Sequence, residues 1–338
     1  MNSYKTKYEK YKNKYLNLKL NIKSANGGAG GKPQNPTLIL DQKYFPKDLV
    51  SGTFEFMTIH EIYNTCIADS KICMGINWGK VLEDKGILYE NVIVTQEDIV
   101  KYGRFCPILK VPNETQKDET QKVQQKYCII FFKYMEKLQR TDADIHNAVR
   151  EWITKEEQAK ERYGDIKDWN TSKVTNMCNL FKHARYFTSD LSKWDVSNVT
   201  NMSSMFLDAR SFNSDLSKWD VSNVKYMTAM FHSAISFKSD LSKWDVSNVT
   251  AMNGMFYSAR SFKSDLSSWN VSSVTDMSSM FEDARSFTSD LSKWNVSKVK
   301  DMKDMFSLTY MDEGLAPDWF WEHPTNDYLR SNIPAYLS

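Results

Sequence analysis

From residue 169 onward the hydrophobic positions return on a fixed beat. Tryptophan stands at Trp169, Trp194, Trp219, Trp244, Trp269 and Trp294, always 25 residues apart. The same interval carries Met202, Met227, Met252 and Met277, then Phe206, Phe231, Phe256 and Phe281, then Ala209, Ala234, Ala259 and Ala284, then Phe212, Phe237, Phe262 and Phe287. No residue is inserted or lost across six units. Units kept in such register stack at equivalent positions, which predicts a solenoid. Within one unit the apolar period changes. Trp219 and Val221 alternate with Lys218, Asp220 and Ser222, a period of two that predicts a short strand. Met227, Met230, Phe231 and Ala234 then fall at i, i+3, i+4 and i+7, which predicts about two helical turns, with Ser222 or Asn223 as the cap. Phe237 and Leu241 follow in an irregular return, with Ser239 and Asp240 at a turn. The fold class is therefore an α/β solenoid of short parallel strands and short helices. Its tryptophans are in phase with the core-facing valines, which makes Trp169, Trp194, Trp219, Trp244, Trp269 and Trp294 the structural core.

The flanks obey other patterns. Over residues 141–168, Thr141 or Asp142 starts a helix whose apolar stripe is Ile145, Val149, Trp152 and Ile153, and Gly164 ends it. This segment is the N-terminal cap of the six repeats at 169–306, because an open stack exposes its core. Residues 307–338 form the C-terminal cap, with the tryptophans of GLAPDWFWEHP sealing that end. Residues 36–140 read as a small, mainly helical domain, interrupted by the polar stretch NETQKDETQKVQQK. Residues 1–35 are a Lys/Tyr-rich helical tail and a glycine-rich linker. Tyr4, Tyr8, Tyr11, Tyr15, Leu18 and Ile22 are spaced like a heptad seam, so residues 4–22 are a candidate for self-association.

Composition and charge narrow the classes. The chain has 338 residues, 41% hydrophobic and 25% charged, which fits a folded protein rather than a disordered one. No apolar run approaches the ~20 residues a membrane span needs, and the opening lacks the apolar core of a secretory signal. The net charge is +2, yet residues 1–32 hold eight lysines and one glutamate, which leaves −5 for the remainder. An acidic body behind a basic tail argues against wrapping nucleic acid. Five cysteines (Cys66, Cys73, Cys106, Cys128 and Cys178) form no metal-binding pair, and reduced thiols in an intracellular protein are expected.

The unit WDVSNVTNMSSMFLDARSFNSDLSK resembles the BspA-like leucine-rich repeats, in their WDVSNVTDMSSMF variety, in which Trp, Val, Met and Phe take the usual leucine positions. The resemblance covers residues 141–312 and includes the lead-in TDADIHNAVREWITKEEQAKERYGDIKDWNTSKVTNM. It implies a right-handed leucine-rich-repeat-like coil acting in protein–protein interaction. The Lys/Tyr-rich opening with its glycine patch is similar to the start of many giant-virus proteins and implies host cytoplasm, or a virion, as the setting. Residues 40–90 faintly resemble an F-box, which docks a ubiquitin-ligase adaptor.

Candidate chemistry is sparse. No phosphate loop, dinucleotide fingerprint, nucleophile elbow or zinc motif occurs, so no catalytic set, cofactor or metal is expected. The histidines are scattered, and His183 and His232 read as exposed polar helix positions. Asp190, Asp215, Asp240, Asp265 and Asp290, each preceded by serine, form a column best explained by Asx turns; calcium would need more oxygen ligands per turn. What remains is the outward face of the strands. Lys193, Lys218, Lys243 and Lys293 form one column. Asp195, Asp220, Asp245, Asn270 and Asn295 form the second, and Ser197, Ser222, Ser247, Ser272 and Ser297 the third. This candidate face fits a polar protein partner of mixed charge and disfavours nucleic acid, since aspartates match its lysines and no aromatics interleave. Three functions follow as expectations: a non-catalytic interaction scaffold, an F-box-like adaptor in protein turnover, and a surface or virion adhesion protein.

Overall fold

A computed structural model of the chain describes residues 62–63, 66–67, 77–85, 87, 92–103, 105–106, 119–313 and 316–326. The tyrosine seam of residues 4–22 and most of the F-box-like segment lie outside these residues. The chain divides into two compact units, Met1–Glu136 and Lys137–Ser338. None of the described helices is long and apolar enough to cross a membrane.

The first unit contains helices α1 (Trp78–Asp84), α2 (Gln96–Tyr102) and most of α3 (Glu119–Lys137). Asn77 caps α1 by accepting from the Lys80 amide, and Thr95 with Asp98 forms a capping box at the start of α2. Phe131 and Phe132 of α3 are fully buried and meet Trp78 with ring centroids 5.0 and 6.5 Å apart. The expectation of reduced thiols throughout is corrected here: Cys106 and Cys128 form a disulfide, Cα to Cα 5.7 Å. Helix α3 turns Cys128 inward against the segment after α2. The two cysteines are 22 residues apart, a spacing that matches no motif. Among the described residues Cys66 and Cys178 are free.

The second unit opens with β1 (Gln139–Thr141), α4 (Ile145–Thr154) and α5 (Glu156–Tyr163), and β1 pairs in parallel with β2 (Asn170–Lys173). The expected single cap helix is broken at Lys155, where φ is −150° and ψ 60°. Gly164 ends α5 with φ +75°, a conformation that favours glycine. Ile145, Val149 and Trp152 are buried, but Ile153 is exposed, so the inward stripe is narrower than its spacing suggests. Asp142 is not a helix cap. Its carboxylate accepts from the backbone amides of Thr175 and Asn176 at 2.8 and 3.0 Å, which ties the cap to the first coil. Arg140, nearly fully buried, lies over the rings of Tyr163 and Trp169 and pairs with Asp144 at 2.7 Å.

The six repeats then stack one on the next. Asn176, Asn201, Tyr226, Ala251, Asp276 and Asp301 form an unbroken series of parallel bridges. In the second coil the amides of Met202, Ser204, Phe206 and Asp208 donate to the carbonyls of Tyr226, Thr228, Met230 and His232 at 2.7–2.9 Å. The intervening amides of Met205, Leu207 and Ala209 donate locally to Met202, Ser204 and Phe206. The predicted helix is therefore absent, and residues 174–309 contain no α-helix. An α-helix directs every amide to residue i−4, whereas here alternate amides are committed to the neighbouring coil and the others close three-residue turns. Two residues per coil are left-handed, Ser204 and Asp208 in the second coil and their equivalents in the others. The strand expected at Trp219–Val221 is not formed either. That stretch is shaped by the Asp220 side chain accepting from the Ser222 amide, and inter-coil pairing has moved to the methionine–phenylalanine arm.

The apolar columns fill the interior. The six tryptophans are 1–4% exposed. Each of the last four donates its indole N–H to a leucine carbonyl of the preceding coil, as Trp219 does to Leu191 at 3.1 Å. Phenylalanine rings stack along the array, Phe206 on Phe231 at 5.6 Å and on Phe212 within its own coil at 3.9 Å. Burying one such side chain stabilises by about 1.5–3 kcal/mol. The beat does not stop at residue 306. Trp319, 25 residues beyond Trp294, stacks on it at 6.5 Å and donates to Leu291 at 3.0 Å in the register of the earlier tryptophans. Helix α6 (Asp318–Glu322) carries it, and Phe320 closes edge-on over Phe306.

Candidate interaction surface

Each coil turns its polar residues outward around two turns. At the first, the Ser197 amide and hydroxyl both donate to Asp195, at 3.0 and 2.6 Å, and Ser222 does the same to Asp220. The Ser247, Ser272 and Ser297 amides donate to Asp245, Asn270 and Asn295. The Asp/Asn and Ser columns of the candidate face are thus bound to one another within each coil. Asn198, Asn223 and Asn248 beside them donate to serine carbonyls of the preceding coil at 2.7–2.9 Å.

At the second turn, Asp190 accepts from the Ser192 amide, and the equivalent aspartates repeat this as Asx turns. A serine of the next coil completes the joint: the Ser214 hydroxyl donates to Asp190 at 3.1 Å and accepts from the Leu191 amide at 2.9 Å. The backbone N–H groups of Ser217 and Ser242 hold the carboxyls of Asp215 and Asp240 below the usual carboxylate range. Among the described residues no group of three or more His, Cys, Asp or Glu side chains is placed to hold a metal ion.

Lys193, Lys218, Lys243 and Lys293 remain exposed, and none has an ion pair within 4 Å among the described residues. They are the part of the candidate face with unengaged donors. The fold also brings together residues that the repeat spacing alone does not mark as a group. Asp208, 7% exposed, is gripped by Arg185 at 2.8 Å and Arg210 at 2.7 Å, with His183 at 3.4 Å. Asp283, 5% exposed, is gripped by Arg260 and Arg285 at 2.7 and 2.6 Å, and the Ser258 hydroxyl donates to it. The Arg210 guanidinium, with Arg185 behind it, holds the Asp208 carboxyl far below the usual range. The signal was present as Ala-Arg recurring at the same place in four units, with isoleucine at Ile235 in the third. His232 is not the exposed position expected: it is half-buried and stacked on Tyr257 at 4.5 Å, and burial pushes its pKa down.

A family model described as "Mycoplasma protein of unknown function, DUF285" matches residues 147–262 and 236–322. The two overlapping matches take in all but the first six residues of the N-terminal cap, all six repeats and the helix bearing Trp319, and they are compatible with a BspA-like repeat protein. No curated protein and no solved structure matches the chain significantly.

Proposed function

We propose that this chain, which belongs to the DUF285 family, is a non-catalytic scaffold that binds protein partners along the outer surface of a leucine-rich-repeat-like solenoid. One observation carries the reading. The interior is consumed by packing, and the Asp, Asn and Ser columns are consumed by turns, so what is left facing outward along the stack, among the described residues, is a column of unpaired lysines and a set of half-exposed arginines anchored on aspartates. Repeat arrays present extended surfaces of this kind to partners. The Lys/Tyr-rich opening favours a giant-virus product working inside a cell. Cross-linking mass spectrometry of the tagged full chain in expressing cells tests the proposal. Partner cross-links at Lys193, Lys218, Lys243 and Lys293 or their neighbours are expected. Partners cross-linked solely to residues 1–136 would replace it with the adaptor reading.

The Cys106–Cys128 disulfide favours a second reading, surface or virion adhesion, because disulfides persist in oxidising compartments. Non-reducing peptide mapping of protein recovered from its native source separates the two. An intact pair supports display at a surface, and free thiols support the intracellular scaffold.

A further inference from the structure

The two arginine–aspartate groups share a geometry that neither the lysine column nor the Asx turns have. Arg185, Arg210, Arg260 and Arg285 all hydrogen-bond their aspartate through Nε, at 2.6–2.8 Å. Guanidinium side chains so held remain about half exposed, between 48 and 61%. The buried carboxylate therefore acts as an anchor. It fixes two planar groups from adjacent coils; Arg185, Arg210 and Arg285 pair through Nε, whereas Arg260 also commits Nη2 at 2.7 Å, and a guanidinium with its Nη groups unspent matches a carboxylate through two parallel hydrogen bonds. Pre-fixing the forks lowers the ordering cost of binding. Adjacency is secured between the coils, since the Ser211 amide donates to the Arg185 carbonyl at 3.0 Å and the Ser286 hydroxyl to that of Arg260 at 2.7 Å.

The two groups differ in their surroundings. Asp208 is held by His183, Arg185 and Arg210; Lys182 and Tyr186 are their neighbours in the chain, both exposed, Tyr186 by 90%. Around Asp283 stand Arg260 and Arg285, with Tyr257 and Ser261 in the places that Lys182 and Tyr186 hold relative to Asp208, and with Glu282 where the first group has Leu207. Three coils separate the groups, each coil advancing the Phe206, Phe231, Phe256 and Phe281 rings by 5.6–5.7 Å. Exposed tyrosine beside arginine is also the composition of energetic centres in protein interfaces.

We infer that the ridge of Lys182, Arg185, Tyr186 and Arg210 on the first two coils is the primary docking site for an acidic segment of a protein partner, with Arg260 and Arg285 as a weaker second grip. This rests on the interaction reading above and specifies its surface and its chemistry. The arginines, not the lysine column, carry the recognition.

The probe is a fluorescein-labelled peptide of about eight glutamates, whose extended reach of ~26 Å exceeds the separation of the two groups. It is titrated against the full chain at low salt by fluorescence anisotropy. The wild-type protein is expected to bind, with affinity falling as salt rises. R185Q/R210Q should weaken binding about tenfold or more, R260Q/R285Q about two- to threefold, and K193S/K218S/K243S/K293S less than twofold, in line with the loss of fixed charge pairs against mobile ones. Should R185Q/R210Q not fold, R185I/D208S/R210I copies the residues of the third coil, Ser233 and Ile235, and is expected to show the same loss. The assignment is overturned by no wild-type binding, by a larger loss in the lysine variant, or by equally tight binding of duplex DNA of matched charge. Retention of the cellular partners by R185Q/R210Q overturns the ridge while leaving the wider interaction reading standing.

Discussion

Helix α3 and the methionine–phenylalanine arm of each coil place apolar residues at the same intervals, yet their backbones differ. In α3 the buried side chains of Cys128, Phe131, Phe132 and Met135 follow helical spacing, and the backbone is helical for 19 residues. In the third coil Met227, Met230, Phe231 and Ala234 repeat that spacing and are fully buried, but the backbone is a string of turns. Side-chain period is common to both. The destination of the amides is not: in the coil, Met227, Ala229, Phe231 and Ser233 donate to the next coil. A repeated chain offers each unit an identical edge to bond to, and that offer outcompetes the local i−4 carbonyl. Apolar periodicity fixes which side chains go inward, not the hydrogen-bond pattern that gets them there.

The largest test of that dependence removes whole units. Deleting residues 219–243 takes out one coil and joins Lys218 to Trp244, which restores the register, so a folded shorter array is expected by circular dichroism and sedimentation. Deleting residues 219–230 leaves amides facing the wrong carbonyls, and aggregation is expected. Equal behaviour of the two deletions would show that coil-to-coil register does not hold the structure.

Next in size is the tryptophan column. Trp219→Ala should cost about 3–5 kcal/mol in urea denaturation, from the lost ring and the cavity left behind. Trp219→Phe keeps most of the apolar area but strands the Leu191 carbonyl, adding about 1–3 kcal/mol to its smaller packing loss. An indole that merely filled space would show no such addition.

An acid titration probes the joints between coils. The Asp208 carboxyl is held far below its unfolded pKa of about 3.9. The stability it contributes is therefore complete above that value and is lost as pH falls through the lower, folded-state pKa. Asp283, gripped by two arginines, acts in the same direction. The melting temperature should fall steeply below about pH 4, and D208N/D283N should melt lower at neutral pH with a shallower acid limb. An unchanged acid limb would mean that these pairs do not couple the coils.

Legibility in the sequence followed the physics of each feature. The inward residues were readable because burial constrains side-chain type in every unit, as with the Trp and Phe columns. The Asp190-type turns were readable because an Asx turn is a local bond between residues two apart. Trp319 keeps the beat but loses its surroundings, since PDWFWEHP shares little else with the unit, and a repeat defined by the whole motif ends at residue 306. The arginine–aspartate groups were hidden because their partners lie 23 residues apart in different coils, as Arg185 and Asp208 do. The disulfide joined two cysteines of unrelated elements and left no spacing to find.

The smallest effect contrasts the two backbones most directly. Ala229 has φ +51° and Ser204 +55°, conformations that cost a residue with a Cβ about 1–2 kcal/mol and glycine far less. Ala229→Gly should therefore raise stability by up to about 1 kcal/mol, whereas Lys126→Gly on the exposed side of α3 should lower it by about the same amount. Gly254 supplies the reverse case. It sits at the position equivalent to Ala229 with φ +60°, and a Cβ there would come no closer than 4.0 Å to His232. There is room for alanine, so any loss on Gly254→Ala, expected at about 1 kcal/mol, is conformational rather than steric. Opposite signs for glycine at residues 229 and 126 follow from a left-handed turn in one place and a helix in the other. The same sign at both would mean that the methionine–phenylalanine arm is helical after all.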